Sequence, residues 1–395
     1  MASFSVRSLG CKVSHTDAHA VREALLRDGH EERADASDVA VVNACCVTHE
    51  AVRKSRKEAA RAARTHARVY VTGCGANLDG AFAGLPENVV VVAKPSEETP
   101  AAVAGDVGAI GCVQADVRLE RTRAFVKIQD GCSFSCSFCV VPLVRGATRS
   151  RALPAVLAEV ERRVRQGHRE VVLTGINLGL YRDPETRAKL PALVRAAGAV
   201  PGLARLRLSS IEVNHVDEEL AAALRETPTV GRHLHVPLQS GDDGVLRAMA
   251  RRYTVRTWLR RLEALEGFNL TTDVIVGFPE EDDAAFERTL ETVARAGVTK
   301  VHVFPYSPRP GTVTAAADTV PPQVKKERSA RLRALSDEAS RRRWQEKVGR
   351  EDVVLVDRPG RGYGADYTPW LVRGRVGELV RVRGAAVTEE GILAA

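Results

Sequence analysis

Short apolar segments alternate with stretches of helical spacing along most of this chain. That alternation confines it to folds built on parallel sheets, with ligands gathered where the strands end. Near the N-terminus the apolar segments are 4–9, 39–43, 68–72 and 89–92, with helical spacing over 16–28 and a basic helix over 48–65. From Ala124 the pattern restarts, with strands expected at 124–128, 170–174, 205–208, 233–236, 271–276 and 300–304 and helices between them. Six such β/α units suit an open, partial barrel whose active site lies at the strand C-termini. Residues 321–349 then read as one long charged helix, and from Arg350 the pattern turns to short β runs punctuated by glycines. A chain of 395 residues with this many changes of pattern is expected to form two or three domains.

The eight cysteines are placed unevenly, and none falls after Cys139. Cys132, Cys136 and Cys139 form C-x3-C-x2-C in one short stretch. Three thiolates on one loop can hold a [4Fe–4S] cluster and leave one iron without a protein ligand, whereas a structural zinc site closes its tetrahedron with four. Half a zinc site, an unrelated cluster and a disulfide framework are the competing readings. No second C-x2-C pair is present to complete a ribbon, and the chain has the character of a cytosolic one, where disulfides are rare. Cys11, Cys45 and Cys74 lie far apart in sequence, yet each falls just past the end of an expected strand. In a parallel sheet they would converge on one edge, where glycines 10, 73 and 75 let the backbone turn sharply. The competing reading is three buried cysteines acting as small hydrophobes. Cys112 belongs to neither pattern.

Net charge is +8 with a pI of about 9.2, a balance that favours a polyanionic partner without identifying one. No apolar run is long enough to span a bilayer, and the N-terminus opens into a strand-like segment rather than an export signal. A cytoplasmic protein with no membrane association is expected.

The C-x3-C-x2-C stretch resembles the signature of the radical S-adenosylmethionine (SAM) enzymes. The three segments Ser-Leu-Gly-Cys-Lys-Val-Ser (8–14), Val-Asn-Ala-Cys-Cys-Val-Thr (42–48) and Val-Thr-Gly-Cys-Gly-Ala (71–76) look like the cysteine motifs of the methylthiotransferase domain. Pro142, Arg145, Gly146, Ser150 and Arg151 follow in that family's spacing, and the similarity runs over nearly the whole chain. The resemblance implies two [4Fe–4S] clusters and SAM as cofactors. Cys132, Cys136 and Cys139 would hold the cluster that binds SAM, and Cys11, Cys45 and Cys74 an auxiliary one. Where the family usually has Asn-Thr-Cys-Thr, this chain has Asn43-Ala44-Cys45-Cys46, so Cys46 stands at the usual threonine. It would either substitute for Cys45 or take a redox role. One SAM would methylate sulfur on the auxiliary cluster, and a second would supply a 5′-deoxyadenosyl radical that activates a C–H bond.

By the same resemblance, Gly175, Ser210, Glu212 and Gln239 are candidates for contacts with SAM, and Gly277 would border its adenine. The expected architecture is an N-terminal parallel α/β methylthiotransferase domain (1–112), a partial (β/α)6 radical SAM barrel (118–345) and a small β-barrel of the TRAM type (346–395) that binds RNA. In that last module Tyr363, Tyr367 and Trp370 would stack on bases or fill a tiny core, while Arg361, Arg373, Arg375, Arg381 and Arg383 would meet phosphates. The implied substrate is N6-threonylcarbamoyladenosine at position 37 of tRNA, methylthiolated at C2. The alternatives are N6-isopentenyladenosine or a ribosomal-protein aspartate, and, in another class, a non-catalytic Fe–S RNA-binding protein. The implied partners are a tRNA anticodon stem-loop and an electron donor such as flavodoxin or ferredoxin, with the enzyme a monomer.

Overall fold

The computed structural model describes residues 2–33, 37–108 and 122–395. Cys112 and the expected boundaries at 112 and 118 lie outside the described residues. The chain divides into two compact units. One comprises the described residues within Met1–Leu119 together with Asp130–Thr148 and Ser307–Ala316; the other comprises those within Glu120–Gln129 together with Arg149–Tyr306 and Ala317–Ala395.

The first unit is a three-layer α/β structure. Its strands β1 (Ser3–Ser8), β2 (Glu31–Glu32), β3 (Val39–Asn43), β4 (Arg68–Thr72) and β5 (Val89–Val91) form one parallel sheet in the order β2-β1-β3-β4-β5. All five residues of β3 are buried, as expected of a central strand covered on both faces. Helices α1 (Lys12–Arg27) and α3 (Thr99–Val107) cover one face, where Phe4, Val41 and Tyr70 pack against Val21, Leu25 and Val103. Helix α2 (His49–Ala62) covers the other, with Ala59 and Ala62 against the alternate strand residues. It begins where Thr48 accepts a hydrogen bond from the Ala51 N–H, with Glu50 in the first turn and Arg61 in the last, each suited to the helix dipole. The short helix α4 (Val141–Arg145) also belongs to this unit, with the cysteine loop that precedes it in sequence.

The second unit contains the strands expected from Ala124 onward. Strand β6 (Arg123–Lys127) is followed by the two-residue strands β7 (Gln129–Asp130) and β8 (Arg149–Ser150), which flank the cysteine loop in sequence. The barrel then runs through α5 (Leu153–Arg165), β9 (Glu170–Thr174), α6 (Leu190–Gly198), β10 (Arg205–Leu208), α7 (Glu218–Glu226) and β11 (His233–His235). It continues with α8 (Asp243–Ala248), α9 (Val255–Glu263), β12 (Asn269–Val276), α10 (Asp283–Ala296) and β13 (Lys300–Pro305). The strands make two parallel three-stranded sheets, β10-β9-β6 and β11-β12-β13. Single bridges from Leu206 to Val230 and from Ser210 to His235 carry the arc across the gap. The result is the open six-stranded barrel that the sequence pattern predicts.

Helix α11 (Pro322–Gln345) packs on β13 through Leu332, Ser336 and Ser340, and Pro322 lies in its first turn, where the missing N–H costs nothing. Beyond it, β14 (Glu351–Arg358), β15 (Arg361–Tyr363), β16 (Pro369–Leu371), β17 (Leu379–Val387) and β18 (Ile392–Ala394) close a small barrel in the order β14-β15-β16-β18-β17. Val354, Val356, Trp370, Val372 and Ile392 fill it.

Of the three aromatic residues of this module, Trp370 fills the barrel, while Tyr363 and Tyr367 are half-buried. Trp370 is 1 % exposed and its indole N–H donates to Thr368 Oγ1. Tyr363 and Tyr367 stack on each other with centroids 4.7 Å apart. The Arg123 guanidinium lies over both rings, and Arg207 lies over Tyr367. The reason is a polar joint: Glu170, fully buried, pairs with Arg205 and Arg207 of β10, whose guanidiniums donate to the carbonyls of Val353 and Gly364 at 2.6 and 2.7 Å. The tyrosines pack against that joint with part of each ring still exposed.

Candidate iron–sulfur and cofactor sites

Three strands of the first unit end at one level. Ser8, Asn43 and Thr72 are in register across β1, β3 and β4, and the ladder continues past them, from the Leu9 N–H to Asn43 O and from the Ala44 N–H to Thr72 O. Cys11, Cys45 and Cys74 follow those ends. β1 and β3 flank the place where strand order reverses, the position at which open parallel sheets bind ligands. The surroundings are cut to fit. A Cβ on Gly10 would lie 2.2 Å from Ser14 Oγ, and one on Gly75 would lie 2.7 Å from Ala44 Cβ. Gly73 has φ +79°, a conformation that admits glycine readily.

Burial pushes the Cys45 thiol up to about 11, and nearby Cys74 and Cys11 add to the rise. A buried thiol held protonated beside two other thiols is one that a cationic iron centre would ionise and bind, so the residues fit a cluster. Cys46 is fully buried beside Cys74, Val140 and Val144. Its hydrogen bond to Cys74 raises the Cys46 thiol and, together with Arg145, lowers that of Cys74. In this arrangement Cys46 packs against Cys74.

The other three cysteines share one loop of the same unit. The Cys132 N–H donates to Gly146 O and the Cys139 N–H to Cys136 O, while the Phe134 N–H points at Cys132 Sγ at 3.5 Å. Gly131 has φ +67°, and a Cβ there would meet Ala147 O at 2.1 Å, so the loop closes only on glycine. All three thiols are partly exposed, which suits a cluster that must take an external ligand. The loop and the sheet edge are joined by Arg145, whose Nε donates to Cys74 Sγ at 2.8 Å. Its Nη1 donates to both oxygens of Asp130 and its Nη2 to Asp17. The sequence had marked Arg145 as part of a motif but gave Asp17 no role; its place on α1, after Cys11, was the only signal.

In the second unit, Gly175, Ser210, Glu212, Gln239 and Gly277 all lie beyond strand C-termini. A Cβ on Gly175 would meet the backbone and side-chain oxygens of Gln129 at 2.9 Å. Gln239 has φ +68°, and its N–H is held by Asp273 O. Glu212 is buried, which raises its carboxyl, while Arg251 opposes that rise through a direct ion pair. Gly277 faces the Lys325 chain, and its N–H donates to Glu281 Oε1, so packing of α11 by itself accounts for that glycine. One group escaped sequence reading. His235, Asp273 and His302 come from adjacent strands β11, β12 and β13, with one ligand atom from each within 4.8 Å of the other two. The His235 Nδ1 is bonded to Thr271 Oγ1 and its Nε2 lies 3.2 Å from Asp273. Only the register of three strands brings them together.

An open barrel of six parallel strands, with a three-cysteine loop following the first strand in sequence, defines the radical SAM class. Residues 126–293 match the model of the Radical SAM superfamily, and residues 3–92 match that of the Uncharacterized protein family UPF0004. The threonylcarbamoyladenosine tRNA methylthiotransferase MtaB of Thermotoga maritima is 32 % identical, over 100 % of this chain and 96 % of its own length. The protein of that name from Bacillus subtilis is 35 % identical, over 86 % of this chain and 82 % of its own length. A tRNA-2-methylthio-N(6)-dimethylallyladenosine synthase of Alkalilimnicola ehrlichii is 34 % identical, over 89 and 86 %. The radical SAM methyltransferase TsrM of Kitasatospora setae shares the fold with a TM-score of 0.60 at 16 % identity, covering 80 % of this chain and 75 % of its own. The chain belongs to the methylthiotransferase family of radical SAM enzymes. It is a transferase that works with SAM and two [4Fe–4S] clusters.

Proposed function

We propose that this tRNA methylthiotransferase acts on N6-threonylcarbamoyladenosine at position 37, adding a methylthio group at C2. The observation that carries the reading is likeness along the full chain to enzymes named for that nucleoside, joined to two sets of three thiols in one unit. The N6-isopentenyladenosine reading stands second, favoured by the dimethylallyladenosine synthase of similar identity. Cys132, Cys136 and Cys139 would hold the SAM-binding cluster, and Cys11, Cys45 and Cys74 the auxiliary one. Bound there, the clusters and SAM supply a carbon radical and a methylated sulfur, chemistry that side-chain acids and bases do not offer.

The chain's own part is to bind and orient. Gly175, Ser210, Glu212 and Gln239 would contact SAM beside the barrel strand ends, with Gly277 next to its adenine. Division into 1–112, 118–345 and 346–395 would separate sulfur donation, radical formation and RNA binding. With Trp370 buried and the tyrosines half-buried against arginines, RNA contact in the last module would fall chiefly to its exposed arginines, Arg373 and Arg375 foremost. An anticodon stem-loop and a flavodoxin or ferredoxin would be the partners. Among the described residues no helix is long and apolar enough to cross a membrane.

Mass spectrometry of tRNA nucleosides with and without the gene tests this. Loss of 2-methylthio-N6-threonylcarbamoyladenosine is expected. Loss of the methylthiolated isopentenyl nucleoside instead would select the second reading.

A further inference from the structure

A single guanidinium contacts one set of cysteines and the backbone-linked carboxylate that precedes the other. Arg145 is 4 % exposed and Asp17 5 %, so their 2.7 Å contact is shielded from water, and Asp130 holds the other side of the fork at 2.9 and 3.0 Å. Asp130 is itself fixed, by the Ser96 hydroxyl at 2.6 Å and the Gly131 N–H at 2.8 Å. Each anchor leads to a ligand position. Asp17 stands on α1, which begins directly after Cys11; Asp130 stands two residues before Cys132; and Gly146, next to Arg145, accepts the Cys132 N–H. The remaining donor, Nε–H, is aimed at Cys74 Sγ.

We propose that Arg145 is a positioning residue for the auxiliary cluster: it fixes the Cys74 sulfur as a ligand and raises that cluster's reduction potential. This inference rests on the assignment of Cys11, Cys45 and Cys74 as cluster ligands. Arginine stays charged in proteins, and a charged donor on a ligand sulfur stabilises the more negative, reduced form of a cluster. Ligand-holding hydrogen bonds of this kind tune a metal site as much as the ligands do. A lysine would keep the charge but lose the planar fork that reaches two carboxylates and a sulfur together.

The test uses anaerobically reconstituted full-length enzyme, with EPR-monitored redox titration. Added SAM changes the signal of the cluster that binds it and so separates the two. In Arg145→Gln the auxiliary midpoint is expected to fall, the SAM-responsive midpoint to move less, and the auxiliary iron to be lost faster to a chelator. Arg145→Lys should restore part of the midpoint. Because Arg145→Gln removes the guanidinium from between two buried carboxylates, a triple variant, Arg145→Met with Asp17→Asn and Asp130→Asn, removes the ion group as a whole. Measured against Asp17→Asn with Asp130→Asn alone, which keeps the guanidinium, it should show the same fall, with the iron content and melting curve of a folded protein. An unchanged auxiliary midpoint in a folded variant overturns the inference, as does an equal shift of both midpoints, which would mark general loosening. Wild-type enzyme that binds only one cluster overturns the assignment of the cysteines itself; two wild-type clusters with an indifferent Arg145→Gln overturn the role of Arg145 alone.

Discussion

The two cysteine sets occupy one structural unit but are built in opposite ways. Cys132, Cys136 and Cys139 are neighbours in sequence, and a tight loop closed by Gly131 and the Cys132–Gly146 hydrogen bond is enough to gather them. Cys11, Cys45 and Cys74 are gathered by a sheet: three parallel strands must pair in the right register before the thiols share an edge. The first set depends on local geometry, and the second on topology. A one-residue slip of β3 would turn its side chains to the other face of the sheet and displace Cys45. The loop thiols are all partly exposed, while in the sheet-edge set Cys45 and Cys74 are buried and only Cys11 is exposed.

The largest effect is expected from Cys136→Ala, which should abolish reductive SAM cleavage, measured as 5′-deoxyadenosine formed under dithionite. About four of eight irons per chain should remain, on the sheet-edge set. Retained cleavage would mean that the loop set is not the SAM site.

Cys74→Ala should stop methylthiolation of tRNA while sparing uncoupled 5′-deoxyadenosine formation, again with about four irons left. If SAM cleavage disappears although the loop cluster remains, the division of labour between the sets is wrong.

The adjacent thiols of the second motif sharpen the comparison. Cys45→Ala should lose the auxiliary cluster, whereas Cys46→Thr should keep both, because Cys46 only packs against Cys74 and a threonine of similar size can do the same. Iron analysis and Mössbauer spectra of the two variants decide it; the reverse outcome would make Cys46 the ligand.

Glycine substitutions probe each scaffold separately. Gly73→Ala places a Cβ 2.7 Å from Asn43 Oδ1 in a left-handed backbone, and Gly131→Ala places one 2.1 Å from Ala147 O. Each should cost about 1–3 kcal/mol of stability in thermal unfolding and loosen only its own cluster. Simultaneous loss of both clusters in either variant would show that the two scaffolds are not independent.

The smallest effect belongs to the C-terminal barrel. Arg373→Ala with Arg375→Ala should weaken tRNA binding across sequences and lower the slope of log affinity against log salt by about 1 for each phosphate no longer neutralised. SAM cleavage without tRNA should not change. An unaltered salt slope would place the phosphate-binding groups elsewhere, with the basic helix α2 the next candidate.

Legibility followed the range of the interactions. The loop motif and the alternation of strands and helices depend on residues close in sequence, so the barrel strands fall near their expected places: the strand expected at 271–276 extends over Asn269–Val276, and the one at 233–236 over His233–His235. The sheet-edge cysteines were legible because each sits after a strand, although no spacing links them. The aromatic residues of the C-terminal barrel were not. Tyr367 reads like a surface ring until Arg123, Arg207 and His233 pack against it, and those residues come from three different barrel strands.

By itself the sequence determined the secondary-structure order, the two families of thiols and the class of cofactor they suit. These follow from local spacing, backbone propensity and the chemistry of sulfur. Tertiary structure decided that Arg145 joins Cys74 to Asp17 and Asp130, that Cys46 lies against Cys74, and that His235, Asp273 and His302 meet. Those contacts exist only when distant strands pair in a fixed register, because a hydrogen bond or ion pair is set by a few ångströms in space and not by separation along the chain.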